Sequence, residues 1–189
     1  MARPREFDAH RVVDVALESF WTNGFAATSM QDLVDATRVN RASLYGAFES
    51  KAGLYGHALD RYADAGCQQL DRLLAEDGDI VTRLERYADE LFASPDGRGC
   101  FVGNSLCELA DTEPALHATA VDHANRVRHR IRDAAATAAA AGASLAAPPE
   151  DVADIAMAAI HGAHVMSKAG VDPERIRRGL RFTLATLRS

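Results

Sequence analysis

Apolar residues recur at three- and four-residue intervals along almost the whole chain, and no stretch alternates strictly between apolar and polar positions. That period belongs to helices, so the pattern predicts an all-α protein. The first segment begins after Phe7-Asp8, with Asp8 as its cap, and stops at Asn23-Gly24. Val13, Ala16, Leu17 and Phe20 form its buried stripe. A short second helix starts near Thr28-Ser29, whose hydroxyls accept from the first free backbone amides, and turns Met30, Leu33, Val34 and Ala36 inward. After the break Thr37-Arg38-Val39, Asn40 caps a third short helix from Arg41 to Phe48. Ser50 then caps a long fourth helix that opens with Lys51.

Five more helices follow. One runs from Asp79 to Ser94 and is closed by Pro95-Asp96-Gly97; the next spans about Cys100 to Ala110. A long one, from Thr112 or Glu113 to about Ala141, carries Leu116, Ala120, Ala124, Val127, Ile131 and Ala135 on one side. Beyond the loop at 142–149, Glu150 to Lys168 is helical. Asp172-Pro173 opens the last helix, with Ile176, Leu180, Leu184 and Leu187 in register, proline being favourable just inside a helix start.

Residues 28–51 hold two short helices joined by a tight turn, with a third helix ahead of them, which is the helix-turn-helix arrangement. In such a unit the second helix of the pair enters the ~12 Å wide major groove of DNA with its N-terminal residues at the base edges. Three local signatures accompany it: Gly-Phe-Ala-Ala-Thr-Ser at 24–29, Leu-Tyr-x-x-Phe at 44–48, and Ser50-Lys51. On these the chain resembles the tetracycline-repressor (TetR) family of bacterial regulators, specifically over residues 1–60 and beyond them in helix count and order. The resemblance implies a nine-helix architecture, with residues 1–50 as DNA-binding domain and 51–189 as ligand-binding and dimerisation domain. It also implies a homodimer on a palindromic double-stranded operator, a repressor released by a small-molecule effector, with no cofactor, metal or catalysis.

Chemistry assigns provisional roles. Arg41, at the start of the recognition helix, either grips guanine O6 and N7, worth roughly 1–3 kcal/mol of discrimination, or lies solvated beside a phosphate. Ala42 and Ser43 are small enough to let the helix sit deep, and the Ser43 hydroxyl can bond a base or phosphate. The resemblance puts Tyr45 and Lys51 on backbone phosphates, although the Tyr45 ring can instead pack inside. Thr28 and Ser29 match phosphate-touching hydroxyls, or serve only as caps; Gln31 reaches the backbone or faces water. Arg38 stands where the family usually has a turn glycine, so the turn is wound differently or Arg38 takes up φ > 0. Gly46 and Ala47 replace bulkier family residues, and Arg3 and Arg5 on an N-terminal arm are expected to compensate in the minor groove.

The net charge of −6 opposes DNA binding only if spread evenly. A footprint needs a local cluster, and Arg3, Arg5, Arg38, Arg41 and Lys51 supply one provided that Asp14, Glu18, Asp32 and Asp35 face away from the duplex. No apolar run reaches the ~18 residues that span a bilayer, and no signal-peptide core follows the charged start, so the expected location is the cytoplasm. No nucleophile motif, phosphate loop or metalloprotease signature points to an enzyme.

In the body, the small residues Ala153, Ala156, Ala159, Gly162 and Ala163, with Ile160 and the Ile176, Leu180, Leu184 stripe, read as an isologous four-helix interface or as packing within one subunit. Candidate effector contacts are Tyr62, Tyr87, Phe92, Phe101, Asn104, Cys107, His123 and His164. Asn104 and His123 stand out as polar groups in apolar segments, open also to internal hydrogen bonding. The cysteines Cys67, Cys100 and Cys107 lack metal or disulfide spacing. On one helix Cys100 and Cys107 would be ~10.5 Å apart, too far to bridge, leaving thiol sensing or inert burial. His161 and His164 share a face without a third metal ligand. Two rival readings remain besides the ligand-released repressor: a DNA-binding protein without effector, whose body would be filled, and a thiol-based redox or electrophile sensor of the same fold.

Overall fold

A computed structural model describes residues 7–93 and 97–189; the Arg3 and Arg5 arm and the Ser94-Pro95-Asp96 end of the fifth predicted helix lie outside the described residues. Among the described residues nine helices follow in order: α1 Ala9–Asn23, α2 Met30–Thr37, α3 Arg41–Phe48, α4 Lys51–Leu74, α5 Ile80–Leu91, α6 Phe101–Glu108, α7 Pro114–Ala140, α8 Pro149–Lys168 and α9 Pro173–Ala185. No strand occurs among the described residues beyond one isolated bridge, Leu145 with Arg188.

The caps form as their side chains dictate. Asp8 accepts from the His10 and Arg11 amides, and Asn40 accepts from the Ser43 amide at 2.9 Å. Ser29 and Asp32 close a reciprocal capping box at the start of α2. Such caps contribute about 1 kcal/mol each and fix where the short helices begin. Ser50 caps α4 through the Gly53 amide at 2.9 Å. Gly53 is dictated by crowding, because a Cβ there would stand 2.0 Å from the Phe48 carbonyl oxygen.

Two hydrophobic cores result. The first joins α1, α2, α3 and α4 as far as Ala63 with Phe101, Val102 and Leu109 around α6 and Leu116 and Ala120 of α7. The second holds the rest of α4, α5, the later part of α7, α8 and α9. At 1.5 Å per residue, the 24-residue α4 and 27-residue α7 are ~36 and ~40 Å long, and both run through the two cores.

Several faces differ from the sequence expectation. The α1 stripe centres on Val12, Ala16 and Phe20, with Val13 and Leu17 only partly covered. Ala36 is exposed, and buried Thr37 replaces it by donating its hydroxyl to the Leu33 carbonyl at 2.6 Å. Cys100 does not lie within α6 but caps it, its Sγ accepting the Gly103 amide at 3.4 Å. The interface residues proposed on α8 and α9 need the largest correction. Ala156, Ile160, Ala163, Ile176, Leu180 and Leu184 are buried inside one protomer, because α8 turns its small side to α7 and α9 packs on α5. Of the small residues read as the interface, Ala159 remains partly open and Gly162 is exposed.

Candidate nucleic-acid interface

Helix α3 buries Leu44 and Phe48 and turns Arg41, Ala42, Tyr45 and Gly46 to solvent. Those exposed positions, spaced i, i+1, i+4, i+5, make one continuous outer face. Tyr45 is 42% exposed, so its ring is not core filling. A Cβ built on Gly46 meets nothing within 4 Å, and Ser43 is half-buried at the edge of the face. The turn before α3 is wound left-handed at Arg38, φ 61° and ψ 24°, in the conformation for which glycine is usual. Arg38 thus tolerates the strained position and presents an exposed guanidinium beside the recognition helix.

Arg41 is poised by a short relay. Its Nη2 donates to Gln31 Oε1 at 3.1 Å, and Gln31 Nε2 donates to Asp35 Oδ1 at 3.0 Å. Asp35 therefore shares the recognition side, against the expectation that it turns away. The other acids are occupied: Asp14 pairs with Arg61 at 2.9 Å, and Glu18 with Arg98 at 2.5 Å. Hydrogen bonds from Ser29 hold the Asp32 carboxyl below the usual carboxylate range.

Two expected phosphate ligands are engaged within the protomer. Thr28 is 1% exposed and donates to the Gly24 carbonyl at 2.7 Å, leaving no hydroxyl for DNA. Lys51 lies over the Phe25 ring and donates to the Phe25 and Thr28 carbonyls at 2.8 and 3.0 Å, with one N–H to spare. It ties α4 to the loop between α1 and α2. Ser29 stays exposed, though its hydroxyl is bonded to Asp32 at 2.7 Å.

Further contacts brace the first core from α6 and the segment before it, and local spacing announces none of them. The Trp21 indole donates to the Gly99 carbonyl at 3.1 Å, beneath the Arg98 guanidinium. Glu108, ending α6, accepts the Ala26 amide at 2.9 Å. The Tyr55 and Ser105 hydroxyls share a 2.7 Å hydrogen bond between α4 and α6, and burial pushes the Tyr55 phenol up to about 12.

Below them lies a cavity of about 310 Å³ between α1, α4, α5, α7 and α8. Tyr62, Tyr87, Phe92, His123 and His164 of the candidate set line it, with Trp21, Cys100 and His161 added. Phe101 is packed in the first core, while Asn104 bridges the Arg98 carbonyl at 2.9 Å and the Lys168 ammonium at 3.2 Å. Cys107 is exposed, and these three border a wider cleft outside the cavity. His123 is internally satisfied: Arg126 can only donate to its Nδ1, at 3.0 Å, so Nε2 carries the hydrogen shared with Asp60 at 2.9 Å. Burial pushes the Cys67 and Cys100 thiols up, away from the reactive thiolate, which disfavours the thiol-sensor alternative.

A recognition helix with an exposed outer face, on a helical body with a pocket among its helices, defines the class of helix-turn-helix regulators with a ligand-type body. The chain matches the family model described as bacterial regulatory proteins, tetR family, over residues 12–58, and that described as tetracyclin repressor-like, C-terminal domain, over 80–183. The chain belongs to the TetR family. It is 35% identical over 113 residues to the HTH-type transcriptional repressor ComR of Escherichia coli K12, covering 57% of this chain and 54% of that protein. It is 30% identical over 101 residues to the repressor DhaR of Mycobacterium sp. GP1, covering 52% and 50%. The matches thus span about half the length of these curated relatives. A cysteine-substituted mutant of the TetR family transcriptional regulator CifR, complexed with 26 bp double-strand operator DNA, superposes with TM-score 0.87 at 25% identity, covering 98% of this chain and 100% of that one.

Proposed function

We propose that this chain is a sequence-specific DNA-binding transcriptional repressor, released from a palindromic operator by a small-molecule effector. The observation that carries the reading is the outward face of α3, where Arg41, Ala42, Tyr45 and Gly46 are open to solvent. Residues 1–50 serve DNA binding, and residues 51–189 serve effector binding and dimerisation. Base contacts fall to Arg41 with Ala42, Ser43 and Gly46; Tyr45, Gln31, Ser29 and Arg38 fall beside the phosphates. The role is regulatory rather than catalytic and belongs to the cytoplasm, where the operator is.

Two recognition helices must be presented together, since half-sites lie about 34–36 Å apart. The partner is a second copy. Ile155, Ala159, Gly162 and Met166 form one open stripe on α8, and Phe182 projects from α9. A Cβ on Gly162 or on Gly179 meets nothing within 4 Å, so a neighbouring helix can approach closely there. The body cavity favours effector control over the filled body expected of a constitutive binder. The test is selection of bound sequences from random duplexes by the purified protein. A palindrome is expected, with a guanine preference that disappears in Arg41→Ala; recovery of no sequence preference removes the reading.

A further inference from the structure

The cavity walls specify more than a volume. Trp21, Tyr62, Tyr87 and Phe92 supply aromatic rings, and Met157 and Ile160 of α8 supply an apolar side. Tyr87 is only 5% exposed, yet its hydroxyl has no hydrogen-bond partner among the described residues, while the Tyr62 hydroxyl lies beside the Cys100 thiol. That hydroxyl is not sealed off but opens to water, so a ligand oxygen can take the water's place as its acceptor, a hydrogen bond worth about 0.5–1.5 kcal/mol net. Burial also pushes the Tyr87 phenol up, so it keeps its proton and donates.

The charges are as informative. No Lys or Arg is among the described residues lining the cavity. Glu90 is turned to Arg72 and Gln69 at 2.7 and 2.8 Å. Burial lowers His161, and lowers His164 to about 4, leaving both imidazoles neutral near pH 7. An anion or a cation entering here would lose its hydration without meeting a free opposite charge. The 310 Å³ equal the liquid volume of about ten waters, room for a two-ring molecule.

We propose that the cavity takes an uncharged, flat aromatic compound bearing a carbonyl oxygen that accepts a hydrogen bond from Tyr87. This rests on the reading of the body as an effector site and names the chemistry of its ligand. The test is calorimetric titration of the full chain with 2-acetylnaphthalene, 2-ethylnaphthalene and 2-naphthoate, with binding to the selected operator followed in parallel. The ketone is expected to bind at least about tenfold more tightly than the carboxylate. Tyr87→Phe weakens the ketone about three- to tenfold and leaves 2-ethylnaphthalene unchanged. Gly66→Leu, which sends a side chain into open space at the wall, abolishes binding of both neutral compounds while the circular dichroism stays that of the parent. Equal affinity for 2-naphthoate, an unaltered ketone affinity in Tyr87→Phe, or no ketone binding at millimolar concentration overturns the proposal. Ketone binding without operator release upholds the ligand class and removes effector control instead.

Discussion

The Glu108 carboxylate at the end of α6 accepts the backbone N–H of Ala26 at 2.9 Å, in the loop that leads into α2. The helix that follows the cavity wall at Cys100 is thereby bonded directly to the head that carries the recognition helix. Two sites are coupled when both bias one such element.

Glu108→Ala should therefore change operator affinity about three- to tenfold while leaving the cavity's ligand affinity alone. Fluorescence anisotropy on the operator and calorimetry on the ligand read the two separately. An operator affinity and a release midpoint both equal to those of the parent would show the contact to be idle.

Gly53 and Gly46 should respond oppositely to alanine. At Gly53 the new methyl would meet the Phe48 carbonyl at 2.0 Å, where backbone must shift, so a loss of about 2–3 kcal/mol is expected. At Gly46 the methyl meets open space inside a helix, and stability should rise by up to ~1 kcal/mol. Operator affinity should nevertheless fall, because the added group stands on the face proposed to approach DNA. Urea melts and binding isotherms on both variants decide; a stable Gly53→Ala protein would refute the crowding argument.

Phe182 is 76% exposed, so Phe182→Asp should leave the protomer folded. Light scattering is expected to show a dimer for the parent and a monomer for the variant, with at least a tenfold loss on the full palindrome. A dimer surviving the substitution would place the interface elsewhere.

His161 and His164 make stability depend on pH. Both have folded values below the unfolded 6.5, His164 at about 4, chiefly through burial. The unfolded chain therefore binds more protons in that window. Their contribution is complete above about pH 6.5 and is lost progressively as the pH falls towards about 4. Thermal melts between pH 7.5 and 4.5 should fall less steeply in the His161→Gln, His164→Gln double variant. Parallel profiles would contradict the assignment.

Much of this was legible in the sequence because it is local. Asp8, Ser29, Asn40 and Ser50 each cap the helix that follows them, and Arg38, standing where glycine is usual, takes the left-handed of the two alternatives that its position left open. Which side of a helix meets which neighbour was less legible. A stripe of about 100° leaves several apolar positions eligible, and packing chose Val12 over Val13 on α1 and the inner side of α8 for its alanines. The roles of Lys51 and Thr28 were hidden because their acceptors are backbone carbonyls whose orientation no spacing records. Trp21, on a helix of the head, entered the body cavity wall for the same reason.

Because α4 and α7 are common property of both cores, neither end of the molecule is self-sufficient. Severing the chain after α4 would strip the head of Phe101, Val102, Leu109, Leu116 and Ala120, the lid on its own interior. Such a fragment would carry every residue proposed to read DNA and still lack the means to hold them in place.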